Sequence, residues 1–148
     1  MASINRIIQL HFLTPCSLSS RGALKAFLIH LFKKQQQPLA SLTIIFCNDK
    51  YMLRLNRQFL HHDTYTDILS FPLSEPGQPL EAEIYISIER VRENAIREKV
   101  SFKQELHRVI FHGALHFCGF KDKHKLDIKR MRVMEDKSLE TYFSKNQG

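Results

Sequence analysis

Two histidines four residues apart, His112 and His116, are followed by Gly119 and then by Asp122 in the run HGALHFCGFKD. On a helix, positions i and i+4 share one face about a turn apart, so both imidazoles can reach a single metal ion. A glycine just past the last helical residue adopts the left-handed cap conformation and reverses the chain. The reversal returns Asp122 toward the turn that carries the histidines. This spacing is that of the long zincin patterns, in which two helical histidines are completed by a third donor beyond a glycine turn. Zinc proteases place a glutamate directly after the first histidine as general base, and here that position is Gly113. A histidine pair at this spacing also arises by chance among eight histidines. The apolar neighbours Val109, Ile110, Leu115 and Phe117 favour a ligand role, because a buried imidazole needs partners such as a metal and the hydrogen bonds behind it. The expectation is one divalent ion, zinc, per chain. Cys118 reads as a small packed residue rather than a donor.

The run resembles HGxLHLxGYDH, the signature of the YbeY-type endoribonucleases that mature ribosomal RNA. The resemblance implies that His112 and His116 hold zinc. An ungapped match puts Asp122 where the family's last histidine usually stands, with Lys121 in place of its aspartate. Asp122 needs no extra residues after Gly119, and carboxylate oxygen is an accepted zinc ligand. His124 takes the position instead if the loop bends. A second stretch, residues 55–72, is similar to the family's LNxxYR and TDVLSFP segments through Leu55, Asn56, Phe59, Thr66, Asp67, Leu69, Ser70, Phe71 and Pro72. Leu60 stands where the family has arginine, and Ala82-Glu83-Ile84 replaces its GDI. The similarity runs over residues 40–140. It implies a zinc-dependent, single-strand-specific endoribonuclease of ribosome biogenesis, with ribosomal RNA or the small ribosomal subunit as partner.

A zinc held by three protein donors keeps an open position for catalysis. Since Gly113 cannot take the proton, Glu105, Glu83 and Asp67 are base candidates in no particular order; the RNA 2′-hydroxyl is an alternative nucleophile. Glu105 lies seven residues before His112 on the same helical face. Lys121, Lys123, Lys125 and Arg130 follow the glycine turn and would meet phosphates. His61 and His62 cannot both face one site from an extended loop and read as surface residues, as do Arg90, Arg92 and Arg97 on a solvated helix face. A non-catalytic, metal-stabilised RNA- or ribosome-binding factor is the second reading.

These residues need a scaffold that 148 residues can supply as one domain with its own core. A net charge of +7 favours polyanionic partners. Three cysteines at wide spacing argue for a reducing compartment. No apolar run reaches the ~20 residues of a bilayer span, so a cytoplasmic protein without membrane contact is expected. The patterning predicts strands at residues 4–13, 39–46, 68–73 and 81–87. Helices are predicted from Ser19 or Ser20 to Gln36, from Asn48 to Phe59, from Ser87 to Lys99, from a capping box at Ser101 into the histidine run, and around residues 126–139. The class is α+β, a mixed sheet of about four strands with about five helices and the metal-binding helix buried at the centre.

Overall fold

A computed structural model describes residues 3–62 and 64–146; the extreme ends of the 148-residue chain and Asp63 lie outside them. Ten elements follow one another: α1 (Ile4–Ile7), β1 (Ile8–Phe12), α2 (Arg21–Lys34), β2 (Leu39–Cys47), α3 (Asp49–Leu60), β3 (Ile68–Pro72), β4 (Leu80–Ser87), α4 (Ile88–Glu98), α5 (Phe102–Phe117) and α6 (Lys125–Lys145). The sheet order is β1-β2-β4-β3. β1, β2 and β4 run parallel and β3 pairs antiparallel with β4, so the sheet is mixed as expected.

The starts of three helices are written in single side chains. The side-chain oxygens of Asn48, Ser87 and Ser101 accept from the backbone N–H groups of Tyr51, Arg90 and Gln104 at 2.8, 3.3 and 3.0 Å, satisfying donors that lack a helical partner. Ser20 precedes α2, but with a left-handed backbone and no side-chain cap bond. The N-terminal segment departs from the predicted strand. Ile4–Ile7 is one helical turn, and the strand is confined to Ile8–Phe12. Ile4, Ile7 and Ile8 recur at helical rather than alternating spacing, and β1 pairs with β2 only from Ile8 opposite Leu42 onward. This turn brings the helices to six.

On β4, Ala82, Ile84 and Ile86 point into the core, while Glu83 and Tyr85 lie on the other face of the sheet. Ser87 departs from that alternation. It is fully buried, donating from Oγ to Asp49 Oδ1 at 2.6 Å while capping α4. The main core joins α2 and α5 to the β1, β2 and β4 inner faces, with Met131, Leu139 and Tyr142 of α6. A smaller cluster of Cys47, Met52 and Leu69 lies beneath α3 on the opposite face. α5 is buried along most of its length.

Gly113 explains how α5 lies so close to the sheet. A Cβ there would stand 2.7 Å from Ile68 Cδ1 and 2.9 Å from Ile84 Cδ1, closer than carbon atoms pack.

The core also contains His107 in α5. Its Nδ1 is 2.7 Å from the Lys103 carbonyl, and its ring stacks on Tyr142 at 5.2 Å with Phe143 edge-on at 5.0 Å. Nδ1–H donation to that carbonyl leaves Nε2 as a bare lone pair, without a partner among the described residues. Burial holds the His107 pKa below its ordinary 6.5; the Lys103 carbonyl opposes this and the Lys103 charge assists it. Below pH 6.5 the unfolded imidazole binds a proton that the folded one refuses, so the His107 contribution is intact above that pH and is lost as the pH falls toward the folded value. In melts between pH 7.5 and pH 5.5, on the ordinary His pKa of about 6.5, the stability advantage of the parent over His107→Phe should shrink on acidification. A constant gap would show that His107 does not titrate with unfolding.

Candidate metal centre

α5 ends in a double hydrogen bond. Phe120 N–H donates to the Leu115 carbonyl at 3.1 Å and Gly119 N–H to the His116 carbonyl at 3.0 Å, with Gly119 at φ +102°. This is the glycine-dependent Schellman reversal. It returns the chain so that Asp122 Oδ2 lies 3.3 Å from His112 Nε2 and 3.1 Å from His116 Nε2. The two imidazoles meet nearly edge-on, with centroids 4.6 Å apart and planes at 81°. Among the described residues, His112, His116 and Asp122 form the group whose donor atoms lie within 4.8 Å of one another. His124 is exposed at the N-cap of α6 and is not in that group.

Behind His112 stands a residue that motif reading missed. Glu135 of α6, almost fully buried, has Oε2 2.6 Å from His112 Nδ1. Its other oxygen accepts from Arg108 Nη1 at 3.1 Å and Arg132 Nη1 at 3.3 Å. Burial pushes the Glu135 carboxyl up, but the hydrogen bond from His112 and the Arg108 charge outweigh it and hold its pKa below the ordinary 4.5. An ionised Glu135 keeps the proton of a neutral His112 on Nδ1, so Nε2 presents its lone pair to Asp122. His112 Nε2 and Asp122 Oδ2, 3.3 Å apart, are two donor atoms that one cation can share. With Zn–N and Zn–O bonds of ~2.0–2.1 Å, neighbouring donors of a tetrahedron are about 3.3 Å apart. The two separations to Asp122, 3.3 and 3.1 Å, are of that size, so the set suits a divalent ion such as zinc, and Glu135 stands where a carboxylate supports a ligating histidine. The sequence did hold a signal for Glu135: it falls on the same helical face of α6 as the apolar Met131, Leu139 and Tyr142. An acid on that face must find a buried partner.

Arg108 is the second missed residue. It lies one turn before His112, and Nε and Nη2 donate to both Glu105 oxygens at 2.9 and 2.6 Å. Burial opposes its charge, but Glu105 and Glu135 more than restore it and keep its pKa above the ordinary value. Its Nη2 is 3.9 Å from Asp67 Oδ2.

These contacts separate the three base candidates. Glu105 is buried, two helical turns from His112, with both oxygens engaged by Arg108. Glu83 faces away from α5 and lines a groove with Leu55, Phe59, Phe71 and Tyr85 beyond the sheet. Asp67 lines a polar cavity of about 230 Å³ that also contains Arg108, His112 and Asp122. Its Oδ2 accepts from Asn94 Nδ2 at 3.1 Å. A second cavity of about 360 Å³ lies on the other side of His112, toward Met131 and Glu135. Lys121, Lys123, Lys125 and Arg130 are exposed on the loop after Gly119 and the first turns of α6. Burial raises the Cys118 thiol to about 12, so it is neutral and packs, as expected.

The family model for endoribonuclease YbeY matches residues 19–143 of the chain. A Cytophaga hutchinsonii protein named endoribonuclease YbeY is 44% identical over 126 residues, covering 85% of this chain and 88% of the relative. One from Flavobacterium psychrophilum with the same name is 52% identical over 101 residues, covering 68% and 71%. A solution structure of a Thermotoga maritima protein superposes with a TM-score of 0.60 at 27% identity, over 93% of this chain and 91% of the other.

Proposed function

Because the chain belongs to the YbeY endoribonuclease family, we propose that it is a single-domain, zinc-dependent endoribonuclease that cleaves single-stranded RNA during ribosomal RNA maturation in the cytoplasm. The observation that carries the reading is the convergence of His112, His116 and Asp122 on one point beside an open polar cavity. A zinc ion bound there supplies a Lewis acid for a phosphoryl oxygen and activates water near neutral pH. His112 and His116 bind through Nε2, Asp122 completes the set, and Glu135 fixes the His112 tautomer. Asp67, which lines the same cavity, takes a proton from the attacking oxygen in this reading, whether of water or of the RNA 2′-hydroxyl. Lys121, Lys123, Lys125 and Arg130 hold flanking phosphates, so binding falls steeply with salt. No helix among the described residues is long and apolar enough to cross a membrane.

The test uses protein made without an affinity tag. One zinc per chain is expected by elemental analysis. Chelation, or His116→Ala, should lower RNA cleavage by about 10³-fold, since metal stabilisation of several kcal/mol is lost and each 1.36 kcal/mol is tenfold; zinc should restore only the parent. Asp122→Ala should weaken zinc binding by at least the ~10–100-fold that follows loss of even a supporting partner, whereas His124→Ala should leave it unchanged. Cleavage that survives in His116→Ala marks a contaminating nuclease and favours the non-catalytic RNA-binding reading. The opposite order of the two loop variants transfers the third ligand to His124.

A further inference from the structure

Tyr65 stands in the loop between α3 and β3 with 54% of its surface exposed. An exposed aromatic is ordinarily free to turn, but this one is backed by a cation: the Arg90 guanidinium lies over its ring at 4.6 Å. Arg90 is itself fixed, with Nε donating to both oxygens of Asp49 at 3.2 and 3.1 Å. Asp49 in turn accepts from Ser87 Oγ at 2.6 Å. The backbone on each side of Tyr65 is tied down as well. Asn56 Nδ2 donates to the Thr64 carbonyl at 2.8 Å, Thr66 Oγ1 to the Ile68 carbonyl at 3.2 Å, and Ser87 N–H to the Asp67 carbonyl at 3.0 Å. The ring is thus held at a set orientation, one face on Arg90.

Its position relative to the metal centre gives this rigidity a use. Asp67 lines the cavity shared by His112 and Asp122. Two residues of chain span at most ~7 Å, which bounds the backbone distance from Tyr65 to Asp67 on the cavity wall. Of the exposed residues that precede it in the chain, His61, His62 and Thr64 are polar, while Phe59 and Leu60 at the end of α3 are apolar. A fixed, exposed ring suits a flat partner, and nucleobases stack on such rings with little sequence preference.

We infer that Tyr65 is a base-stacking residue that holds a nucleotide of the RNA strand next to the metal cleft. The inference rests on the RNA-cleaving reading above and assigns that site a substrate contact. Tyr65→Ala in the full chain should bind a labelled single-stranded oligoribonucleotide about tenfold more weakly, the size of one base–aromatic stack. Tyr65→Phe and Tyr65→Trp should stay close to the parent. In cleavage assays the loss should appear in KM with kcat nearly unchanged, and the melting temperature should not move. Oligonucleotides with a single abasic position, walked along the strand, should include one on which the parent and Tyr65→Ala bind equally, because the missing base removes the same contact from the RNA side. If Tyr65→Ala binds and cuts every RNA as the parent does, or if no abasic position closes the gap, the inference is overturned while the nuclease reading stands. RNA binding that shows the Tyr65 effect without metal-dependent cleavage would sink the nuclease reading and leave the stacking contact in place.

Discussion

Introducing the protease-like glutamate, Gly113→Glu, is expected to unfold the protein rather than to supply a base. Residue 113 is next to His112 in sequence but about 100° round the helix from it, and there it faces the sheet. The Cβ alone would meet Ile68 Cδ1 at 2.7 Å and Ile84 Cδ1 at 2.9 Å. Both atoms are side-chain tips that can turn, so Gly113→Ala should cost about 1–2 kcal/mol from overpacking, largely offset by the ~1 kcal/mol by which alanine favours helix over glycine. Glutamate recovers most of the same helix preference, but that is small beside what its side chain meets. It forces a further methylene and a carboxylate past the β-carbon, against the apolar tips of Ile68 and Ile84, and an unpaired buried charge costs several kcal/mol more. Against a total stability of ~5–15 kcal/mol, a loss above ~4 kcal/mol leaves a large unfolded fraction. Urea unfolding of the two variants beside the parent gives the comparison. A Gly113→Glu protein as stable as Gly113→Ala, or one that hydrolyses peptide bonds with zinc, would show that the position opens toward the metal after all.

Glu135→Leu should have the next largest effect, on two separate observables. The substitution leaves the Nδ1–H of His112 and one N–H of Arg108 without their acceptor in a largely buried setting. Removing one partner of a buried ion pair costs ~3–5 kcal/mol. The lower end applies here, because Arg108 keeps both bonds to Glu105. Zinc affinity should fall by ~10–100-fold as His112 loses the group that fixes its tautomer and ring orientation. Glu135→Gln keeps the shape and one acceptor oxygen, so it should recover most of the stability and part of the affinity. Chelator competition reads the affinity, and ¹⁵N shifts of the His112 ring read the tautomer. Unaltered zinc affinity in Glu135→Leu, with a lower melting temperature, would reduce Glu135 to a purely structural tie between α5 and α6.

Much of the centre could be read without coordinates because it is local. His112 and His116 share a face by helical period alone. Gly119 sets the reversal through hydrogen bonds to residues within the same turn, and Asp122 follows at a distance fixed by the chain. The caps at Asn48, Ser87 and Ser101 are local for the same reason: each side chain bonds a backbone group three residues on. The N-terminal turn, by contrast, reads as strand from its residues because isoleucine suits both states, and the limit of pairing between β1 and β2 decides between them.

The remaining features depend on which surfaces meet. Glu135 is 23 residues from His112, and no periodicity says that α6 returns along α5 with that carboxylate facing the imidazole. Glu83 and Ile84 must point to opposite sides of the strand, but only the packing of α5 on the Ile84 side removes Glu83 from the site. Gly113 marks the same contact. As a motif position it reads as a missing catalytic base; in the fold it is the point where helix and sheet lie too close for a β-carbon. Hydrogen bonds and side-chain periods act within a turn of chain, so they are legible in order along it. The partner of a buried charge and the clearance between two layers belong to residues far apart in the chain, and they come into being only when the core closes.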